Sequence, residues 1–134
     1  MMRTVLVALA ALLATPAIEP WGPVASPSGN AKATGDLLVT DLDRDAHVAK
    51  VRVRAKVAAR TRCSWAVFRI TSGDSKLAHK SYRTCARDKR LSVQFTRSGV
   101  SVVELKVCDG ARTARPSTEC LAAGTWKVLF TAFP

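Results

Sequence analysis

The chain has 134 residues, of which 48% are hydrophobic, with 21 Lys and Arg against 10 Asp and Glu and a formal net charge of +11. That length is expected to hold one domain of about 100 residues with a single, thinly stabilised core. A charge of this size is expected to draw the molecule to anionic surfaces.

Met1, Met2 and Arg3 lead into an unbroken apolar run from Val5 to Ala14, the pattern of a secretory signal peptide. A membrane-crossing helix needs roughly 20 apolar residues, and Pro16, Glu19 and Pro20 end this run early, so no retained anchor is expected. Small-residue cleavage positions follow Ala17, Ala25 and Ala33. Residues 1–33 are expected to comprise the signal peptide and a flexible Pro/Gly/Ser-rich arm, and residues 34–134 one basic domain. No second hydrophobic run, lipid-bearing cysteine or sorting motif follows. The expected destination is therefore secretion, either extracellular or associated with the cell wall.

From residue 35 onward apolar residues recur with period two, in short runs between turn residues. Strands are expected near Asp36–Leu42 and over His47–Val57, where Val51, Val53, Ala55 and Val57 alternate with Lys50, Arg52, Arg54 and Lys56. Arg62–Ile70 is apolar on both faces and should be central, with Trp65 buried. An edge strand at Lys76–Arg83 and a strand at Leu91–Thr96 come next. Ser98-Gly99 is expected to turn the chain into Val100–Cys108, with Val103, Leu105 and Val107 facing inward, and Thr125–Phe133 closes the domain. Strands at this spacing without a convincing helix predict an all-β chain, an immunoglobulin-like antiparallel β-sandwich.

Cys63, Cys85, Cys108 and Cys120 form an even set in an oxidising destination, so two disulfides are expected. Of three connectivities, Cys63–Cys85 with Cys108–Cys120 is preferred, since each pair brackets one strand-turn-strand unit. Zinc spacing is absent, and no metal or cofactor is expected.

Cys63-Ser64-Trp65, Val107-Cys108-Asp109-Gly110, the Ala/Arg/Val-rich composition and the leader together resemble the small exported two-disulfide β proteins of GC-rich actinobacteria. That group includes immunoglobulin-like carriers of enediyne antibiotics, which also have two short-range disulfides. The resemblance supplies no site residue for this chain.

The main candidate site is the row Lys50, Arg52, Arg54 and Lys56, because alternate strand residues share a face about 6.5–7 Å apart. Arg60 and Arg62 would keep that parity if the strand continued. Such a row can track an anionic polymer, with salt-sensitive affinity; the alternative is a solvated sheet face. Nucleic acid is not expected as the natural ligand, because Trp65, Phe95 and Trp126 fall at core parity and are not free to stack on bases.

Asp41, Asp43 and Asp45 begin like a calcium loop, but Ala46 and Arg52 stand where Gly and a bidentate Glu are required, so a polar turn is expected. The Cys108–Cys120 loop, with Arg112 and Arg115, is a second candidate surface for a protein partner, with Arg112 able to enter a trypsin-like pocket in the manner of a protease inhibitor. His47 and His79 are the only imidazoles, and His79 sits in a loop cluster with Asp74 and Ser75. No nucleophile signature accompanies them, so a non-enzymatic binding module is expected.

Overall fold

The computed structural model describes residues 17–87, 89–113, 115–122 and 126–134. The signal-peptide expectation for residues 1–16 and the first residue of the last expected strand, Thr125, lie outside them. Seven strands, β1 (Ile18–Ala25), β2 (Ala31–Asp43), β3 (Val48–Ala59), β4 (Cys63–Ser72), β5 (Leu77–Thr84), β6 (Leu91–Gly110) and β7 (Lys127–Thr131), are joined by one short helix, α1 (Thr118–Ala122). The described chain is all-β apart from that helix, and every strand pairing is antiparallel.

The strands run in the order β1-β2-β3-β6-β4-β5, with β7 also pairing to β6. The first part of β6, Leu91–Arg97, pairs with β3, and its later part, Val100–Gly110, pairs with β4. Ser98-Gly99 therefore does not turn the chain back. Gly99 adopts φ +67°, a conformation that costs a glycine little, and the register shifts there against both neighbours. The result is a kink that lets one strand leave β3 and join β4.

Bending about β6 brings non-bonded strands together: β4 contacts β2 and β3, and β5 contacts β3. One apolar cluster unites Leu37, Val51, Val53, Ala55 and Val57 from one half of the sheet with Phe68, Ile70, Val103, Leu105 and Val107 from the other. Phe68 is fully buried and meets Trp21, Tyr82 and Phe95 edge to face, with centroids 6.2, 6.1 and 5.2 Å away. Edge-to-face contacts of this kind stabilise a core beyond simple burial.

The expected flexible arm is not one. Ile18–Ala25 and the start of β2 form a hairpin within the sheet. Ala31 and Ala33 are buried while Lys32 and Thr34 are exposed, so a period-two pattern was present with alanine in its apolar positions. Pro20 and Pro23 are compatible with β1 because it is an edge strand, where a missing N–H breaks no essential ladder. The β1–β2 turn is closed by Ser26 N–H to Ala31 O and Gly29 N–H to Ser26 O, both 2.9 Å.

Both disulfides form as expected, Cys63–Cys85 and Cys108–Cys120. Their loops span 22 and 12 residues, worth roughly 3 kcal/mol each through restriction of the unfolded chain. Such bonds suit an oxidising, extracellular compartment. Among the described residues no helix is long and apolar enough to cross a membrane.

Candidate functional site

β3 is flanked by β2 and β6. Its Val51, Val53, Ala55 and Val57 are buried, which commits Lys50, Arg52, Arg54 and Lys56 to the opposite, outward face. Across β2 these cations oppose Thr40, Leu38, Asp36 and Thr34 in turn; across β6, Arg52, Arg54 and Lys56 oppose Thr96, Gln94 and Ser92. The floor around the row is thus mostly short and polar.

The four cations are not equivalent. Arg54 Nε and Nη2 donate to Asp36 Oδ1 and Oδ2 at 2.9 and 3.0 Å, a two-pronged geometry that fixes the guanidinium. Arg52 is half-buried, and its Nε has no hydrogen-bond partner among the described residues. Lys50 and Lys56 are exposed. A groove over this face is lined by Pro20, Thr34, Asp36, Arg54, Lys56 and Gln94, among others.

The row ends sooner than its parity suggests. β3 stops at Ala59, and Arg60 and Arg62 belong to the turn into β4. There the Asn30 side-chain oxygen accepts from Thr61 N–H at 2.7 Å and Arg62 N–H at 3.0 Å, and Arg60 N–H donates to Asn30 O. Ser26 Oγ donates to Asp109 Oδ1 at 2.6 Å, and Ser28 Oγ donates to Asp109 Oδ2. This latch ties the β1–β2 turn, the β3–β4 turn and the end of β6 into one unit. Burial pushes the Asp109 carboxyl up, but hydrogen bonds from Ser26, Ser28 and Asn30 and the charge of Arg62 outweigh it and leave its pKa below the ordinary value.

Arg112 and Arg115 are exposed but lie on the segment leaving β6, away from the β3 row in strand order. Arg83 of edge strand β5 donates to Thr113 O, and Thr113 Oγ1 donates to Arg115 O at 2.7 Å. Ala114 of this loop lies outside the described residues. Beyond it α1 presents Cys120, which is buried against Val67 and Cys108 with Trp126 packed alongside.

Of the three aromatics expected at core parity, Phe95 lies in the main core. Trp65 is buried on the other face of β4, under Arg83 and against Gly110. Trp126 joins the separate cluster around the second disulfide, with the Arg69 guanidinium 4.2 Å from its ring centre. Both depart from the expected core because β4 is apolar on two faces, and the second face is covered by the C-terminal segment and not by the opposing half of the sheet. Arg69 is itself held by Glu104 through two bonds of 3.0 and 2.9 Å.

Asp43 Oδ1 accepts from the Asp45 and Ala46 amides, both at 3.0 Å, so the acidic segment is a turn capped by its own side chain. His79 is not in a loop with Asp74 and Ser75: it lies on β5 opposite Arg69, while the Asp74 carboxylate accepts from Lys76 N–H. His47 stacks on Phe133 at 4.9 Å. No known family model matches the chain, and no curated protein or solved structure does either.

Proposed function

We propose that the chain is an exported, non-enzymatic binding module whose outward face of β2, β3 and β6 engages an anionic polymer. In this reading the immunoglobulin-like expectation becomes a two-layer sandwich whose layers share β6. The observation that carries the functional reading is the row Lys50, Arg52, Arg54 and Lys56 on one face, with only Arg54 held by an acid among the described residues. Three cations stay available to a ligand, and short polar neighbours leave room above them. Binding of this kind releases counterions and weakens steeply with salt.

Inhibition of a protease through the Cys108–Cys120 loop is the competing reading. Arg112 is exposed and the loop is clamped at its base, which favours it. The bonds of Thr113 to Arg83 and Arg115 fold the segment back on the domain, whereas a protease cleft takes an extended strand. The polymer reading is therefore preferred.

The test is binding to heparin or polyphosphate across a range of salt concentrations, comparing the natural chain with Lys50→Ser/Arg52→Ser. The double substitution should weaken binding and flatten the slope of log affinity against log salt by about two, one for each lost contact. Unchanged affinity and slope would make the row a solvated face only.

A further inference from the structure

Three cations that the chain order scatters meet at one end of the outward face. Lys32 of β2, Lys56 of β3 and Arg90, which precedes β6, line a single depression together with Pro23, Thr34 and Ala58. The register explains the convergence. Lys32 stands opposite Ala58 across β2 and β3, Lys56 stands opposite Thr34 and Ser92, and the pairing of Leu91 with Val57 puts Arg90 beside Ala58 on the far side of β3.

Strands lie about 4.8 Å apart, so Lys32 and Arg90 leave the backbone roughly 10 Å from each other with β3 between them. The side chain between them is the methyl of Ala58, which leaves an open floor. Lys56 enters from the adjoining row, and the Thr34 hydroxyl lies beside it. Among the described residues no acidic side chain lines the depression, and none of the three cationic side chains has a hydrogen bond or ion pair. Arg54, two residues from Lys56, is by contrast tied to Asp36.

We propose that Lys32, Lys56 and Arg90 form a discrete site for a tetrahedral oxyanion, a phosphate or sulfate group of the polymer. This rests on the polymer reading above and deepens it. Three long cationic side chains around a small-residue floor surround such a group from several sides, and the Thr34 hydroxyl is a further donor to it. The row on β3 then leads away from an anchor rather than acting as a uniform strip. Placing Lys32 in the site also gives the β1–β2 hairpin a role in binding.

The test uses the full secreted chain. Lys32→Ser/Arg90→Ser is compared with Lys127→Ser/Arg44→Ser, which removes the same charge at exposed positions elsewhere. Affinity for polyphosphate and for heparin is measured at several salt concentrations, with melting temperature as a check on folding. The site variant should lose about tenfold in affinity and about two units of salt slope, and the control less than twofold. Lys32→Arg should bind as the natural chain does. Inorganic phosphate and sulfate should shift amide resonances around Lys32, Thr34, Lys56 and Arg90 and not across the whole surface. A loss with polyphosphate alone assigns the site to phosphate, and a loss with heparin alone assigns it to sulfate. Equal losses in site and control variants would mean that net charge alone drives binding and would overturn the site. If the site variant binds as the natural chain does while Lys50→Ser/Arg52→Ser is weakened, the site fails and the polymer reading survives. If the natural chain binds neither polymer, both fail together.

Discussion

Arg54 and Asp36 face each other across β2 and β3 and are joined through two bonds, Nε to Oδ1 and Nη2 to Oδ2. The most central cation of the candidate surface is thereby neutralised by a carboxylate on the neighbouring strand. Asp36→Asn should release Arg54 and raise affinity for polyphosphate about threefold to tenfold, whereas Arg54→Ala should change it little. Isothermal titration at two salt concentrations decides the matter. Loss of affinity with Asp36→Asn would mean that the pair orients Arg54 for the ligand.

The latch around Asp109 predicts a pH-dependent contribution to stability. A carboxyl whose folded pKa is depressed contributes stability above its unfolded pKa, about 4, and loses it as pH falls through the lower folded value. Asp109→Asn should therefore lower the melting temperature at pH 7, and the gap to the natural chain should narrow below about pH 4. A gap that stays constant down to pH 2 would sink the assignment. Ser26 is buried, accepts from Ala31 N–H and donates to Asp109, so Ser26→Ala should cost about 1–2 kcal/mol.

Gly35 and Gly29 predict opposite kinds of tolerance. A Cβ on Gly35 would lie 1.9 Å from the Arg54 carbonyl oxygen and 2.6 Å from Trp21 Cζ2. The first is backbone in the middle of the sheet and cannot swing aside, so Gly35→Ala should cost about 3 kcal/mol or more. A Cβ on Gly29 meets nothing within 4 Å, and only its φ of +78° resists substitution, at about 1 kcal/mol. Chemical denaturation of the two variants compares them directly, and equal losses would contradict the packing described.

Processing is expected after Ala17. Cleavage after Ala25 would remove β1 with Trp21, which packs on Phe68. Cleavage after Ala33 would also remove Ser26, Ser28 and Asn30, and with them the latch. If the chain is exported as proposed, its processed form should begin at Ile18 by N-terminal sequencing, and a chain starting at Thr34 should fail to fold. A stable natural product starting at Ser26 or Thr34 would contradict this.

How far the sequence could be read depended on which residue types carried each signal. β3 was plain because valine alternates with Lys and Arg, and β4 because it is apolar on both faces. The cysteine pairing followed from proximity along the chain: Cys63 and Cys85 bracket the β4–β5 unit as expected, whereas Cys108–Cys120 ties the end of β6 to α1 and not to a second strand. The start of β2 is hidden in the sequence because alanine occupies its buried positions and proline and glycine surround it, so Lys32 reads as part of an arm. Ser98-Gly99 carries turn chemistry, yet whether a glycine at positive φ reverses a strand or kinks it is decided by the partners on either side. The Asp36–Arg54 pair and the grouping of Lys32 with Arg90 depend on register between segments far apart in the chain, which no local pattern encodes.

The sharing of β6 also sets the order in which the molecule can be made. β1, β2 and β3 form one consecutive meander and β4 and β5 another, but the open sides of β3 and β4 both wait for the same late strand. Pairings this distant in sequence place folding in the slow, millisecond-to-second range. During synthesis from the N-terminus the two meanders would emerge with bare strands, the condition in which β chains associate wrongly. Lys50, Arg52, Arg54 and Lys56 lie along one of those strands, so before they meet any ligand their mutual repulsion between chains acts as a gatekeeper against aggregation.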